Sequence, residues 1–193
     1  MDLSSIDALH PSFEATTGLL ILELEHGKAN EVGTAQLEAF EALCDLIESN
    51  DSIRTMCTLS RRQSRKGTPL FISGANVTER TEWDDAAVKA HVHRQRALMC
   101  RLRRLPVYNI ALSHGVTLGW GTEYLLTTDL VLATPGASFA LPETGLGIIP
   151  GARGPAEQVS FFWVAFLSLP LYGTYKPIEV HASENGRAHG AGG

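Results

Sequence analysis

Apolar positions along the chain fall into short extended runs and longer stretches with helical spacing. Gly18–Glu25 is apolar and extended and predicts a strand, closed by a turn at His26-Gly27-Lys28. Between Gly33 and Asn50, Leu37, Phe40, Leu43, Cys44 and Ile47 recur at three- and four-residue steps, which predicts a helix with one apolar face. Thr55–Leu59 and Pro69–Ile72 predict the second and third strands, separated by the basic loop Arg61–Pro69. Residues 84–105 predict a second long helix with apolar points at Val88, Val92, Leu98, Leu102 and Leu105. Five arginines crowd its later turns, where cations suit the helix dipole, and Pro106 ends it. Tyr108–Leu112 is a fourth strand, and His114–Gly121 reads as a glycine-rich turn opening a short helix toward Thr128. Asp129–Ala133 and Ala137–Ala140 complete six predicted strands. Strands alternating with helices imply an α/β fold with crossover connections.

The pattern changes near Gly154. Residues 161–175 hold six of the chain's fourteen aromatic residues, and Pro170 and Pro177 interrupt any helix there. The segment 181–193 is small and polar and reads as a disordered end. No internal repeat is apparent in the sequence.

Composition narrows the classes. The 193 residues suit one domain, or one domain with an appendage. A net charge of −5 argues against binding nucleic acid by neutralising phosphates. Cys44, Cys57 and Cys100 are too few and too scattered for a disulfide framework or a zinc cluster. The N-terminal segment shows no signal-peptide pattern, and no apolar run approaches a membrane span. The composition describes a soluble, reducing-compartment protein, expected to be intracellular and cytoplasmic.

Three segments carry candidate chemistry: Phe71–Asn76 (FISGAN), Gly115–Glu123 (GVTLGWGTE) and Phe139–Gly151 (FALPETGLGIIPG). Each puts glycine after a strand, where backbone can turn sharply or approach a ligand closely. Two bring a carboxylate, Glu123 and Glu143, into apolar surroundings, a setting that raises a carboxyl pKa and suits acid–base work near neutrality. Taken singly, each has a plainer reading. Glycine before a helix is commonplace, Glu123 would face solvent on a short helix, and Pro142-Glu143 would be an ordinary turn.

Taken together and in order, SGAN, HGVTLGWGTE, TDLVLATPGASFALPE and LGIIPG resemble the crotonase superfamily, which includes the enoyl-CoA hydratases and isomerases. The resemblance runs from about Gly18 to about Gly154. It implies a crotonase-like ββα spiral with two roughly perpendicular sheets that hold an acyl-CoA thioester. It implies an oxyanion hole made by the backbone N–H groups of Ala75 and Trp120, with Ser73, Gly74, Gly119 and Gly121 around the substrate. Glu123 and Glu143 match the two glutamates that hold a water in the family's hydratases. The resemblance implies no metal or redox cofactor, with coenzyme A entering only as part of the substrate, and a homo-oligomer, trimer or hexamer.

The sequence also departs from the family. Trp120 stands where a small residue is usual, so its indole is expected to narrow the acyl pocket. Asn76 replaces a common acidic residue. The basic loop Arg61–Pro69 is either a contact for coenzyme A phosphates or a solvated loop. Arg153–Gln158 keep a trace of a glycine-rich helix start, and Ser160 onward does not match. The resemblance therefore implies a core over 1–158 and a divergent tail over 159–193 in place of the usual C-terminal helices. Three functions stay open: an enoyl-CoA hydratase, an enoyl-CoA isomerase, and a non-catalytic acyl-CoA-binding or regulatory subunit.

Overall fold

The computed structural model describes residues 1–143 and residue 151. A 3-10 segment, Ser4–Leu9, precedes eight strands and three helices. The strands are β1 (Pro11–Glu14), β2 (Leu19–Leu24), β3 (Thr55–Ser60), β4 (Leu70–Ile72), β5 (Tyr108–Ser113), β6 (Val116–Leu118), β7 (Leu130–Ala133) and β8 (Ser138–Ala140). The helices are α1 (Thr34–Glu48), α2 (Asp85–Leu102) and α3 (Trp120–Leu125).

Two sheets result. The large one runs β1-β2-β3-β5-β7 and the small one β4-β6-β8. All pairings are parallel except β1 with β2. The order shows a repeating path. β3 lies in the large sheet and β4 in the small one, and α2 returns the chain to β5 beside β3. The next turn repeats this through β5, β6 and α3, and the last described turn supplies β7 and β8. This is the expected ββα spiral. Its period lies in backbone geometry, which is why the sequence shows no repeat.

The large sheet alternates as its sequence predicts. Leu20, Leu22, Leu24, Met56 and Ala111 point into the core, and their neighbours on the opposite face are partly exposed. Helix α1 buries Leu37, Phe40, Leu43, Cys44 and Ile47, the five positions its spacing selects. Burial pushes the Cys44 thiol up to about 12, so it behaves as an inert apolar side chain. Ile6 and Leu9 of the 3-10 segment are fully buried, and this segment packs on α1. On α2, Leu98 and Leu102 are buried, but Val88 is exposed.

Three expectations change. The antiparallel strand β1 lies outside any predicted element. The glycine-rich turn holds a true strand, β6, which the small sheet needs at its centre. Helix α3 ends at Leu125, where Thr127 and Thr128 hydroxyls donate to the carbonyls of Tyr124 and Leu125 and close the last turn. The expected boundary at 158, the aromatic stretch and the polar end lie outside the described residues.

One residue ties the sheets together. The Asn30 side-chain amide lies 3.1 Å from Leu24 O, 2.9 Å from Ser60 Oγ and 2.9 Å from Phe71 O, and its oxygen accepts from His26 N–H at 2.7 Å. Ser60 Oγ donates in turn to Leu70 O at 2.8 Å. The C-terminal ends of β2 and β3 are thereby fixed to β4.

Candidate functional site

The small sheet places the site. Its register pairs Ile72 with Thr117 and Thr117 with Phe139. Because the strands are parallel, equal steps beyond paired residues arrive at the same end of the sheet. Three steps beyond Ile72 is Ala75, three beyond Thr117 is Trp120, and four beyond Phe139 is Glu143. The three segments chosen from the sequence thus meet at one edge.

Ala75 is held by a parallel bridge to Val32. Val32 N–H donates to Gly74 O at 2.9 Å, and Asn76 N–H donates to Val32 O at 2.8 Å. That pattern turns the Ala75 N–H away from Val32, and no described residue accepts from it. Gly74, at φ +119°, makes the turn that allows this, and Ser73 N–H is anchored on Ala29 O at 3.2 Å. Asn76 does not act as a substitute acid. It caps the next 3-10 turn, Val77–Arg80, by accepting from Thr78 N–H.

Trp120 is the first residue of α3, so its N–H has no intrahelical acceptor. Gly119 precedes it at φ +51°, a conformation that disfavours side chains. Glu143 reaches this glycine with its carboxylate, and Glu123 reaches it through its backbone. Glu123 N–H donates to Gly119 O at 3.0 Å, and a methyl group built on Gly119 would stand 2.7 Å from Glu143 Oε1. Glu123 is 4% exposed, which overturns the solvent-facing reading. Glu143 Oε2 is buried and has no hydrogen-bond partner. A carboxylate oxygen buried without a donor is costly, so this end of the site is complementary to a ligand that brings one.

The indole of Trp120 is a correction. It is 2% exposed, stacks on Tyr124 at 5.7 Å and 10°, and lies 5.6 Å from Phe40 of α1. The two residues sit one helical turn apart, so the ring lies over Tyr124 and fills core. Tyr124 is itself fully buried, with its hydroxyl 2.6 Å from Thr58 Oγ1. Gly121 serves packing: a Cβ there would stand 2.6 Å from Ile72 Cβ, so only glycine lets α3 lie this close to β4. Thr122 Oγ1 is 3.1 Å from Thr117 O and 2.8 Å from Ala140 O and pins α3 to both neighbouring strands.

The basic loop enters β4 at the end opposite Ala75. Arg61 and Arg62 pair with Glu23 and Glu25 of the neighbouring strand's end at 3.2 and 3.3 Å, which fits a solvated loop. On α2, Arg94 and Arg101 reach the acidic residues of α1. Asn30, Thr58 and Thr122 carry no local signal of their roles. Their roles lie in contacts across 5 to 66 positions. Among the described residues, no group of three His, Cys, Asp or Glu side chains is arranged to hold a metal ion, and no helix is long and apolar enough to cross a membrane.

Residues 65–157 match the family model described as enoyl-CoA hydratase/isomerase. An enoyl-CoA hydratase from Bacillus anthracis is 31% identical, with 77% of this chain and 56% of that chain covered and a TM-score of 0.68. The chain resembles the crotonase superfamily in sequence over residues 65–157 and in fold. DspI of Pseudomonas aeruginosa is 25% identical over 81% of this chain and 63% of that one, with a TM-score of 0.71. An enoyl-CoA hydratase from Mycobacterium smegmatis, at 22% identity, 77% and 55% coverage and a TM-score of 0.66, shares the crotonase fold. The chain therefore spans between half and two-thirds of the length of these relatives. Within the crotonase spiral, the matched family segment contains all three site segments and both glutamates.

Proposed function

We propose that this chain carries the site of a 2-enoyl-CoA hydratase. The observation that carries the reading is the Glu143 carboxylate against Gly119, with the buried Glu123 on the helix that this glycine opens, beside N–H groups of Ala75 and Trp120 that no described residue accepts from. The thioester carbonyl of an enoyl-CoA accepts from the two N–H groups. These stabilise negative charge as it builds on that oxygen. One carboxylate takes a proton from water as the oxygen attacks Cβ. The electrons of the double bond move to Cα and the thioester, and the other carboxyl, protonated, delivers a proton to Cα. Water is thus added across the bond with no change of oxidation state overall. Retention of both carboxylates favours hydration over double-bond isomerisation, which needs only one.

The test follows the absorbance of the enoyl thioester in crotonyl-CoA with the purified chain. Hydration is expected, and Glu123→Gln and Glu143→Gln are each expected to slow it by about 10²–10⁴-fold. Double-bond migration that survives one of these substitutions supports the isomerase instead. Binding of acyl-CoA without turnover supports a non-catalytic subunit.

A further inference from the structure

Outside the glutamate pair, the structure holds a second group of buried polar atoms without partners. Arg80 Nη2, His91 Nε2 and Gln95 Nε2 are each buried, and none has a hydrogen-bond partner. His91 is 8% exposed and Gln95 4%. They stand one turn apart on α2, so they share a face. Arg80 ends the 3-10 turn that begins two residues beyond Ala75. It is close enough to His91 that its charge lowers the imidazole pKa, reinforcing the larger effect of burial. Trp83 fixes the His91 ring by an edge contact at 5.0 Å and 69°.

The Glu79 carboxylate, whose charge acts on both Arg80 and His91, makes its hydrogen bonds elsewhere. Glu79 Oε2 accepts from Thr34 N–H and Thr34 Oγ1 at 2.9 and 3.0 Å, and Glu79 Oε1 accepts from Asn76 Nδ2 at 2.9 Å. Glu38 and Glu41 of α1 are taken by Arg94. A buried guanidinium N–H and a buried amide N–H with no acceptor each carry the desolvation cost of an unmade bond. A group of such donors is costly to the free protein and complementary to an acceptor that arrives with a ligand. A guanidinium and an amide together match a carboxylate.

The cluster is bracketed by the chain on either side of the site. Ala75 leads directly into the Arg80 turn. Gly151 stands beside α2: its carbonyl accepts from Arg96 Nε at 2.7 Å, and a methyl group built on it would stand 3.7 Å from Val92 Cγ1. Val92 adjoins His91, and Arg96 adjoins Gln95.

We propose that Arg80, His91 and Gln95 form an anion-accepting end of the acyl pocket and that the substrate is an enoyl-CoA whose acyl chain ends in a carboxylate. The inference rests on the hydratase reading for its turnover test and on binding alone otherwise. Arg80 supplies the charge and Gln95 a neutral donor. His91 Nε2 joins them as a donor in the tautomer that carries the proton there.

The experiment compares 2-enedioyl-CoA thioesters of five to eight carbons with uncharged 2-enoyl-CoA thioesters of matched length. The expected result is a kcat/KM preference of about tenfold or more for one dicarboxylic length. Arg80→Met and Gln95→Leu should remove that preference while leaving the uncharged substrate within about threefold, and Arg80→Lys should restore part of it. Equal rates for the charged and uncharged series overturn the proposal, as do variants that lower both series alike. If the chain hydrates neither series, the hydratase reading fails by itself. Calorimetric binding of glutaryl-CoA against pentanoyl-CoA, and of adipyl-CoA against hexanoyl-CoA, then decides. Tighter binding of a dicarboxylic member that Arg80→Met abolishes upholds the proposal, and equal affinities overturn it.

Discussion

The two sheets divide the labour of this molecule. β2, β3 and β5 of the large sheet are six residues long and alternate between core and partly exposed positions. The strands of the small sheet are three residues each, yet Ala75, Trp120 and Glu143 all lie just beyond them. The large sheet draws its stability from side chains. The small sheet depends on contacts that others make with it: Asn30 on Phe71 O, Ile72 against Gly121, and Thr122 on two of its carbonyl ends. A short sheet placed in this way can hold backbone N–H groups at a fixed spacing, because each is anchored at a strand end.

Substitutions in the two regions should separate stability from activity. Leu22→Ala removes a fully buried side chain of the large sheet and should cost about 2–5 kcal/mol in urea unfolding. The folded fraction should retain its rate constant. A matching loss of kcat in fully folded protein would show that the large sheet also sets the site geometry.

Asn30→Ala strikes the joint between the sheets. It leaves the carbonyls of Leu24 and Phe71 without this donor and puts alanine at φ +52°. The expected cost is about 3 kcal/mol, with a fall in activity as β4 loosens. A loss below about 1 kcal/mol would mean that water replaces the amide, and the joint would then be less important than its contacts imply.

Gly121→Ala acts on the small sheet alone. The new methyl meets Ile72 at 2.6 Å, so α3 must shift, at about 1–3 kcal/mol. Its effect on kcat should exceed what the lost stability explains, since the shift carries the Trp120 N–H with it. Unchanged kcat in the folded variant would argue against that N–H as an oxyanion donor.

The same division explains what was legible. The periods of β2, β3 and α1 could be read directly, because side chains there report their own burial. The glycine turns marked the site because glycine signals unusual backbone. Strand β6 was hidden inside HGVTLGWG: three residues flanked by glycines carry too little pattern to register as a strand. The Trp120 indole, expected to narrow the acyl pocket, packs in the core, because its partners Phe40 and Tyr124 come together only when α1 packs on α3. Asn30 and the Arg80–His91–Gln95 group left no local signal at all. Their meaning lies in which polar atoms are paired after folding.

Thr58→Val tests the link between the sheet that stabilises and the helix that carries the site. It removes the partner of the buried Tyr124 hydroxyl and should cost about 1–2 kcal/mol, with the phenol left unbonded in the core. Tyr124→Phe with Thr58→Val should recover part of that loss, since both polar groups are then gone. A double variant no more stable than the single would place the cost in packing.

The smallest effect belongs to the surface between α1 and α2. Arg94 grips Glu41 through Nε at 2.7 Å and Nη2 at 2.6 Å. These bonds, more than the charge itself, hold the Glu41 carboxyl below its ordinary value of 4.5. The sign follows from linkage. A depressed native pKa means that the unfolded chain binds the proton more tightly, so the pair's contribution is full above 4.5 and is lost as pH falls through the lower native value. Both side chains are about one-third exposed, and water screens them, which limits the pair to about 0.2–1 kcal/mol at neutral pH. Glu41→Gln should lower stability by that amount at pH 7 and by progressively less below pH 4.5, with kcat unchanged at both. A constant difference down to pH 3 would assign the effect to helix packing, and a change in kcat would tie this surface to the site through α2.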